Sequence, residues 1–178
     1  PRSTLFPYTT LFRSLDAKHL VICPEGLSRF YSKGLEGEVA ASWMTKRDRL
    51  KEIEDHSNYL QQVYEYYSAK CPNAKIILFG FSQGTATICR WYDKAQPKAD
   101  FLIMWAGSIP QDLEAKPSNN PFKDISLHFV YGSEDQYINS ENLKKLYSLF
   151  ESYGFDHIKK HRFEGKHTVD RPSLIELV

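Results

Sequence analysis

The first candidate for chemistry in this 178-residue chain is a serine between two glycines, in the sequence GFSQG at residues 80–84. An apolar run at 76–79 precedes it and a helical pattern follows it. A strand that turns sharply into a helix lifts the serine hydroxyl above the edge of a sheet, where it can act as a nucleophile. Glycine suits both flanks, because a Cβ at either would meet the neighbouring strand or helix. The backbone N–H of Gln83 begins the helix unpaired and is expected to stabilise an oxyanion.

Two further residues supply the base and the acid that such a serine needs. Asp135 follows a predicted strand at 126–131, and His167 follows a predicted strand at 157–163. Functional groups gather at the carboxyl ends of parallel strands, so we expect both beside Ser82. Histidine titrates near neutrality and can take the serine proton, while a carboxylate holds the histidine in the required tautomer. Glu134 competes with Asp135 for the acid role.

The elements that must position these residues alternate between strand and helix patterns. Their apolar runs are continuous, which is typical of strands buried on both faces of a parallel sheet. We therefore predict an α/β fold with a mostly parallel sheet and helices on both faces. Residues 25–45 are predicted to be a long irregular wall of a binding site. The predicted strands are 19–23, 76–79, 99–105, 126–131 and 157–163. The four predicted helices run from near 45–48 to just before 71, from 83 to near 94–97, from 140 to 154 with Ser140 as N-cap, and from 171 to 178.

Composition narrows the class of protein. With 23 Lys and Arg, 22 Asp and Glu and 42% hydrophobic residues, the chain suits one globular domain. A net charge of +1 gives no reason to expect nucleic acid or an anionic membrane as a partner. No apolar run approaches the ~20 residues that span a bilayer. Three cysteines without metal-ligand spacing indicate reduced thiols in a cytoplasmic protein, and no signal peptide is recognised.

The first fourteen residues form a separate segment. The sequence TLFPYTTLFRS at 4–14 looks like a translated sequencing adapter. We therefore expect residues 1–14 to be non-native and to pack poorly on the domain, and the native residues before about 15 to be missing. The alternative is an ordinary aromatic-rich pair of N-terminal strands.

From about His19 to Val178 the chain resembles the α/β-hydrolases, and among them the phospholipase/carboxylesterase family, which includes acyl-protein thioesterases. The motifs that carry the resemblance are GFSQG at 80–84, GSED at 132–135 with Ile138 after it, GKH at 165–167, and Ser42-Trp43. The resemblance implies one α/β-hydrolase domain at 15–178 that lacks its N-terminal strands and the loop that supplies a second oxyanion donor. It also implies Ser82 as nucleophile, Asp135 as acid, His167 as base and the Gln83 N–H as oxyanion donor, without metal or cofactor. Losing one oxyanion donor costs about 10²- to 10³-fold in rate, so we expect this chain to be a poor catalyst.

The expected substrate is a small-molecule carboxylic ester or thioester with a small to medium acyl group. Trp43, Met44, Trp105 and Ile138 are expected to line the acyl or alcohol site, although each is equally explicable as core. The chemistry would proceed through an acyl-enzyme on Ser82. Two alternatives stay open: a non-catalytic binding module with the same fold, and an acyltransferase that uses the same three residues.

Overall fold

The computed structural model describes residues 19–178. The predicted non-native segment at 1–14 lies outside these residues, as does the region where the missing strands and second oxyanion donor were expected. In chain order the elements are β1 (Ser28–Lys33), β2 (Glu36–Ser42), α1 (Arg49–Lys70), β3 (Ile77–Phe81), α2 (Gln83–Ala95), β4 (Phe101–Trp105), β5 (Ser126–Gly132), α3 (Ser140–Ser152), β6 (Lys159–Phe163) and α4 (Arg171–Leu177).

The last four strands form a parallel sheet in the order β3-β4-β5-β6. Ile77 pairs with Phe101, and Phe101 pairs in turn with Ser126, so the strands run in register toward a common carboxyl edge. Each strand reaches the next through a crossover connection, as parallel strands require. The α/β fold with a parallel sheet and flanking helices is confirmed, and this arrangement places the segments that follow β3, β5 and β6 at one edge.

Alternate residues of the central strands enter two separate cores. Leu102 and Met104 of β4 pack on one face, together with residues of α1, α2 and α3. Ile103 and Trp105 pack on the other face with Leu174 of α4. Because side chains alternate across a strand, a run of five apolar residues serves both faces at once.

Two sequence predictions near the start of the described residues are wrong. Residues 19–23 are not part of a strand, and Leu20 is 63% exposed. Residues 25–45 are not irregular throughout, because β1 and β2 form an antiparallel hairpin within them. The hairpin turns at Gly34, whose φ of 64° lies in the left-handed region that glycine adopts readily.

The helix boundaries follow recognisable signals. α1 ends at Lys70, just before Cys71-Pro72, because the residue before a proline disfavours helical backbone. The N-cap of α3 is Asn139 rather than Ser140: its side chain accepts a hydrogen bond from the N–H of Asn142. None of the helices within residues 19–178 combines the length and the apolar character needed to cross a membrane.

Candidate active site

Ser82 lies in a strained turn between the end of β3 and the start of α2. Its φ is 53° and its ψ is −117°, a backbone conformation that non-glycine residues rarely adopt. The backbone N–H of Ser82 donates to the carbonyl of Trp105 at 2.8 Å, which holds the turn against the end of β4. Strain of this kind persists only where the surroundings impose it, and it is typical of functional sites.

Close backbone approaches explain two of the glycines at this turn. A Cβ on Gly80 would lie 2.5 Å from the carbonyl oxygen of Gly84, and one on Gly107 would lie 2.3 Å from that of Ser82. At Gly84 itself, an added Cβ would have no atom of the described residues within 4 Å, apart from its chain neighbours and the backbone of its own helix. The steric argument therefore holds for the first glycine of the GFSQG sequence and is wrong for the second.

Ser82, His167 and Asp135 form one hydrogen-bonded chain. The distance from Ser82 Oγ to His167 Nε2 is 3.0 Å, and that from His167 Nδ1 to Asp135 Oδ2 is 2.8 Å. The side chain of Asp135 is fully buried, and its Oδ1 accepts from the N–H of Tyr137 at 2.9 Å. Glu134, the competing carboxylate, is exposed to solvent. The structure thus brings together the three residues that the sequence singled out.

The two loops that carry the acid and the histidine brace one another. A Cβ on Gly132 would lie 2.4 Å from the carbonyl oxygen of Gly165, so only glycine permits this approach. The N–H of Glu134 donates to the same carbonyl at 2.8 Å. Beyond His167, the carbonyl of Thr168 accepts from the indole N–H of Trp105 at 2.9 Å. These contacts fix the loop that carries His167 relative to the ends of β4 and β5.

A cavity of about 890 Å³ opens beside Ser82 and His167. Its apolar surface includes Ile138, Leu146 and Leu149. Lys145 also lines it, with its ammonium group bound to the carboxylate of Glu141. The remaining lining residues are small or polar: Ser82, Gln83, Ala86, Ala106, Gly107, Ser108, Gln111, Tyr137, Asn142, Ser148, Ser152 and His167. The volume is that of a small-molecule site.

A family model described as Serine hydrolase (FSH1) matches residues 10–174. The chain belongs to this serine hydrolase family. Among solved structures it is similar to acyl-protein thioesterase 2 of Zea mays, with a TM-score of 0.61 and 17% identity over 87% of this chain and 77% of that one. It is also similar to a carboxylesterase of Bacillus cereus, with a TM-score of 0.58 and 12% identity over 86% of this chain and 70% of that one. A carboxylesterase of Mesorhizobium loti gives a TM-score of 0.61 and 11% identity over 78% of this chain and 66% of that one. No match was found among curated protein sequences.

At such identities the solved structures establish the fold. The expected likeness to an α/β-hydrolase of the carboxylesterase type is confirmed by the serine hydrolase family and by these neighbours together. Among residues 19–178, no group of three or more His, Cys, Asp or Glu side chains is placed to hold a metal ion.

Two aromatic rings that sequence reasoning missed enclose the histidine of this serine hydrolase. The ring centroid of Phe81 lies 4.9 Å from that of His167, and the Tyr137 ring meets it edge-on at 4.7 Å. Phe81 is the variable position before the serine in GFSQG, and Tyr137 lies two residues after Asp135. Neither position carries a sequence signal for this role, because the contact exists only once the three loops meet.

Of the four residues predicted to line the substrate site, only Ile138 lines the cavity. The expectation for Trp105 is wrong: its side chain is fully buried in the second core, where it packs on Phe79 and Phe163. Trp43 packs instead on α1, where its ring contacts Tyr59, and Met44 is likewise not part of the cavity wall. The residue types allowed either a place in the cavity wall or a place in the core, and side-chain direction decides between the two.

Six of the sixteen residues that line the cavity belong to α3. Asn142, Lys145, Leu149 and Ser152 follow one another at spacings of three, four and three, and Leu146 lies four residues after Asn142, which places all five on one side of the helix. From the first to the last, this stripe is ~15 Å long at 1.5 Å per residue. The sequence showed α3 as an amphipathic helix, and that pattern alone does not separate a core stripe from a cavity wall.

Proposed function

We propose that this chain is a serine hydrolase that cleaves carboxylic esters or thioesters through an acyl-enzyme on Ser82. The observation that carries the proposal is the hydrogen-bonded chain from Ser82 Oγ through His167 to the buried Asp135, at the wall of a cavity. Membership of the serine hydrolase family supports it. The three residues have the types and the distances that nucleophilic acyl transfer requires, and their chain order is the one expected for an α/β-hydrolase.

The geometry suits a two-step reaction. In the first step Ser82 Oγ attacks the acyl carbon while His167 Nε2 takes the hydroxyl proton, and Asp135 stabilises the resulting imidazolium. The intermediate collapses when His167 gives that proton to the departing alcohol or thiol. In the second step His167 takes a proton from water, the hydroxide adds to the acyl carbon, and the carboxylic acid leaves as the proton returns to Ser82. Esters and thioesters share the acyl-enzyme, so the same residues serve both.

The negative oxygen of each tetrahedral intermediate needs hydrogen-bond donors. Gln83 is the first residue of α2, and the first N–H groups of a helix have no partner within the helix. We assign the backbone N–H of Gln83 to this role, because it directly follows the nucleophile and Gln83 lies in the cavity wall.

The cavity favours a neutral, small to medium acyl group. Its apolar residues, Ile138, Leu146 and Leu149, would contact a hydrocarbon chain. The cationic group of Lys145 is already bound to Glu141, so we expect little selection for an anionic substrate. The three cysteines are free thiols, which accords with the cytoplasmic location we propose.

A fluorophosphonate probe tests this function directly. We expect the probe to label the chain, peptide mass spectrometry to locate the adduct on Ser82, and p-nitrophenyl butyrate and a butyryl thioester both to be hydrolysed. Turnover that persists in Ser82→Ala would refute Ser82 as nucleophile. A folded chain that neither reacts with the probe nor turns over either substrate would favour a binding module. An ester product formed with an added alcohol, in place of the free acid, would instead indicate acyl transfer.

A further inference from the structure

We propose that the side chain of Gln83 is a positioning residue for this hydrolysis. It ties the nucleophile turn to residues 42–45, which connect β2 to α1, and so keeps the Ser82 hydroxyl and the Gln83 N–H aligned. The proposal rests on the proposed function, because this alignment matters for rate only if Ser82 is the nucleophile. The role is separate from that of the Gln83 backbone, since it concerns the carboxamide alone.

The carboxamide of Gln83 is bound at both of its ends. Its Oε1 accepts from the backbone N–H of Trp43 at 3.0 Å, and its Nε2 donates to the carbonyl of Met44 at 2.9 Å. The hydroxyl of Ser42 lies 3.2 Å from each end, where its oxygen accepts from Nε2 and its proton is within reach of Oε1. A primary amide has a donor and an acceptor at a fixed spacing, and glutamine provides this group at the required reach.

The turn at Ser82 needs contacts that hold it, because its backbone is strained. From the side of β4, the carbonyl of Trp105 accepts the N–H of Ser82 at 2.8 Å. Within the turn, the hydroxyl of Thr85 donates to the carbonyl of Gly80 at 2.9 Å. The carboxamide of Gln83 adds a tie to residues 42–45, which belong to neither the sheet nor α2.

Hydrogen bonds and aromatic contacts hold residues 42–45 against α1. The N–H of Thr45 donates to Glu52 Oε2 at 2.7 Å, and the Thr45 hydroxyl donates to the same oxygen at 3.0 Å. The ring of Trp43 lies against Tyr59 and the buried His56 of α1, with centroid distances of 6.4 and 6.3 Å. Gln83 therefore connects the first residue of α2 to a segment that is anchored on α1.

This arrangement also gives residues 42–44 a role beside the turn. Their backbone groups and the Ser42 hydroxyl bind the carboxamide of Gln83. The functional contribution of residues 42–44 is thus to hold the turn and not to touch the substrate. A shift of about 1 Å at a reacting group can cost about 10²-fold in rate, so a loosened turn is expected to reduce catalysis.

Two substitutions of Gln83 test the proposal against a matched control. Gln83→Met keeps the length and removes the amide. Gln83→Glu keeps an acceptor for the Trp43 N–H but places a carboxylate oxygen against the Met44 carbonyl. Gln62→Met makes the first change at an exposed position of α1. The measurements are kcat and KM for p-nitrophenyl butyrate, the rate of fluorophosphonate labelling, and the free energy of unfolding in urea.

We expect Gln83→Met to lower kcat and the labelling rate by about 10- to 100-fold, with KM within about twofold of the original value. Gln62→Met is expected to leave all three unchanged. For Gln83→Glu we expect the ratio of its kcat to that of the unchanged chain to rise as the pH falls from 8 to 5, because protonation restores a donor to Met44. Taking the ratio removes the effect of pH on the catalytic groups that both proteins share.

Three results would overturn the proposal: an unchanged kcat in Gln83→Met, a raised KM at unchanged kcat, which would mean that the side chain binds substrate, or a Gln83→Glu ratio that does not vary with pH. If Gln83→Met does not fold, the pH dependence of Gln83→Glu decides the matter by itself. Failure of the proposed function looks different: the unchanged chain would then neither turn over the ester nor react with the probe, or Ser82→Ala would keep its activity.

Discussion

Two hydrogen-bonded chains of serine and histidine lie toward opposite ends of the same parallel sheet. At the carboxyl edge, Ser82 and Asp135 flank His167 at 3.0 and 2.8 Å. Toward the amino ends of β5 and β6, Ser126 Oγ lies 3.0 Å from His128 Nε2, and His128 Nδ1 lies 3.1 Å from His161 Nε2. By distance alone the two groups are nearly equivalent.

The surroundings of the two serines make the difference. Ser126 is the first residue of β5, with ordinary strand backbone, and it is not among the residues that line the cavity. Ser82 lies in a strained turn at a helix start, in the cavity wall. A nucleophile needs access to substrate and a donor for the oxyanion. Of the two serines, Ser82 is the one that lies both in the cavity wall and beside the first N–H groups of a helix.

The two hydrogen-bonded groups also differ in the charge of their third residue, which is Asp135 in one and His161 in the other. A carboxylate such as Asp135 stabilises an imidazolium, whereas a second imidazole does not. Burial, with the nearby His161 and Lys159, lowers the pKa of His128 to about 4, and burial also lowers the pKa of His161. Both rings of the amino-end chain are therefore neutral at pH 7, and they pack in parallel with centroids 5.2 Å apart. The comparison indicates that this second chain stabilises the fold and does not catalyse.

The largest expected contrast is between the two serines. Ser82→Ala should lower kcat/KM for p-nitrophenyl butyrate by about 10⁴-fold or more, because it removes the hydroxyl that we propose as the nucleophile. Ser126→Ala should keep the rate and lower the free energy of unfolding by about 0.5–1.5 kcal/mol, the usual effect of one lost hydrogen bond. Ester assays and urea unfolding of both variants check this. Comparable losses of rate in the two variants would contradict the distinction between the chains.

The residues that bind the second ring nitrogen of each central histidine, Asp135 and His161, give the next contrast. Asp135→Asn should reduce kcat by about 10³- to 10⁴-fold, because an amide cannot stabilise the imidazolium of His167 in the required tautomer. His161→Gln, the matched change at the other end of the sheet, should leave kcat nearly unchanged. Steady-state kinetics of the two variants measures the difference, and a small effect of Asp135→Asn would exclude Asp135 as the acid.

Two glycines near Ser82 test the strained turn, which is a feature of the hydrogen-bonded group at the carboxyl edge. Gly107→Ala should lower the free energy of unfolding by about 1–3 kcal/mol, because its Cβ would collide with the carbonyl of Ser82. Gly84→Ala has room among the described residues and lies within α2, so it should be neutral or stabilising by about 0.5–1 kcal/mol. Urea unfolding measures both values. Equal destabilisation would show that backbone conformation, and not crowding, selects these glycines.

The last prediction concerns the pH dependence of stability. The folded pKa of His128 lies near 4, below its ordinary value of about 6.5, so the unfolded state binds more protons between these values. The free energy of unfolding should therefore fall as the pH drops from 6.5 to 4, by at most about 1.4 kcal/mol per pH unit for each such histidine.

The variant His128→Phe should make this slope shallower. His56 contributes in the same range, because burial and the nearby Arg90 lower its pKa to about 4 as well. Urea unfolding of His128→Phe, His56→Leu and the double variant at several pH values measures each share. An unchanged slope in the double variant would refute the assignment.

Much of the site could be predicted from sequence because its signals are local. The strand, the turn at Ser82 and the helix after it occupy one continuous stretch, and their residue types have few alternative structures. Asp135 and His167 could be placed because parallel strands bring their carboxyl ends to one edge. The hairpin of β1 and β2 was missed, since its strands are largely exposed on both faces and give no clear alternation between apolar and polar residues.

The sequence by itself was enough to predict the alternation of strands and helices from β3 onward, and to place Ser82, Asp135 and His167 in that chain order at one edge of a parallel sheet. Only the tertiary structure decided which way the neighbouring side chains face. Trp105 ends a strand that is apolar throughout, so its pattern could not assign it to the cavity or to the core. The side chain of Gln83 likewise acquired its partners only when residues 42–45 came to lie beside the turn, because contacts between distant segments leave no periodic trace in the chain.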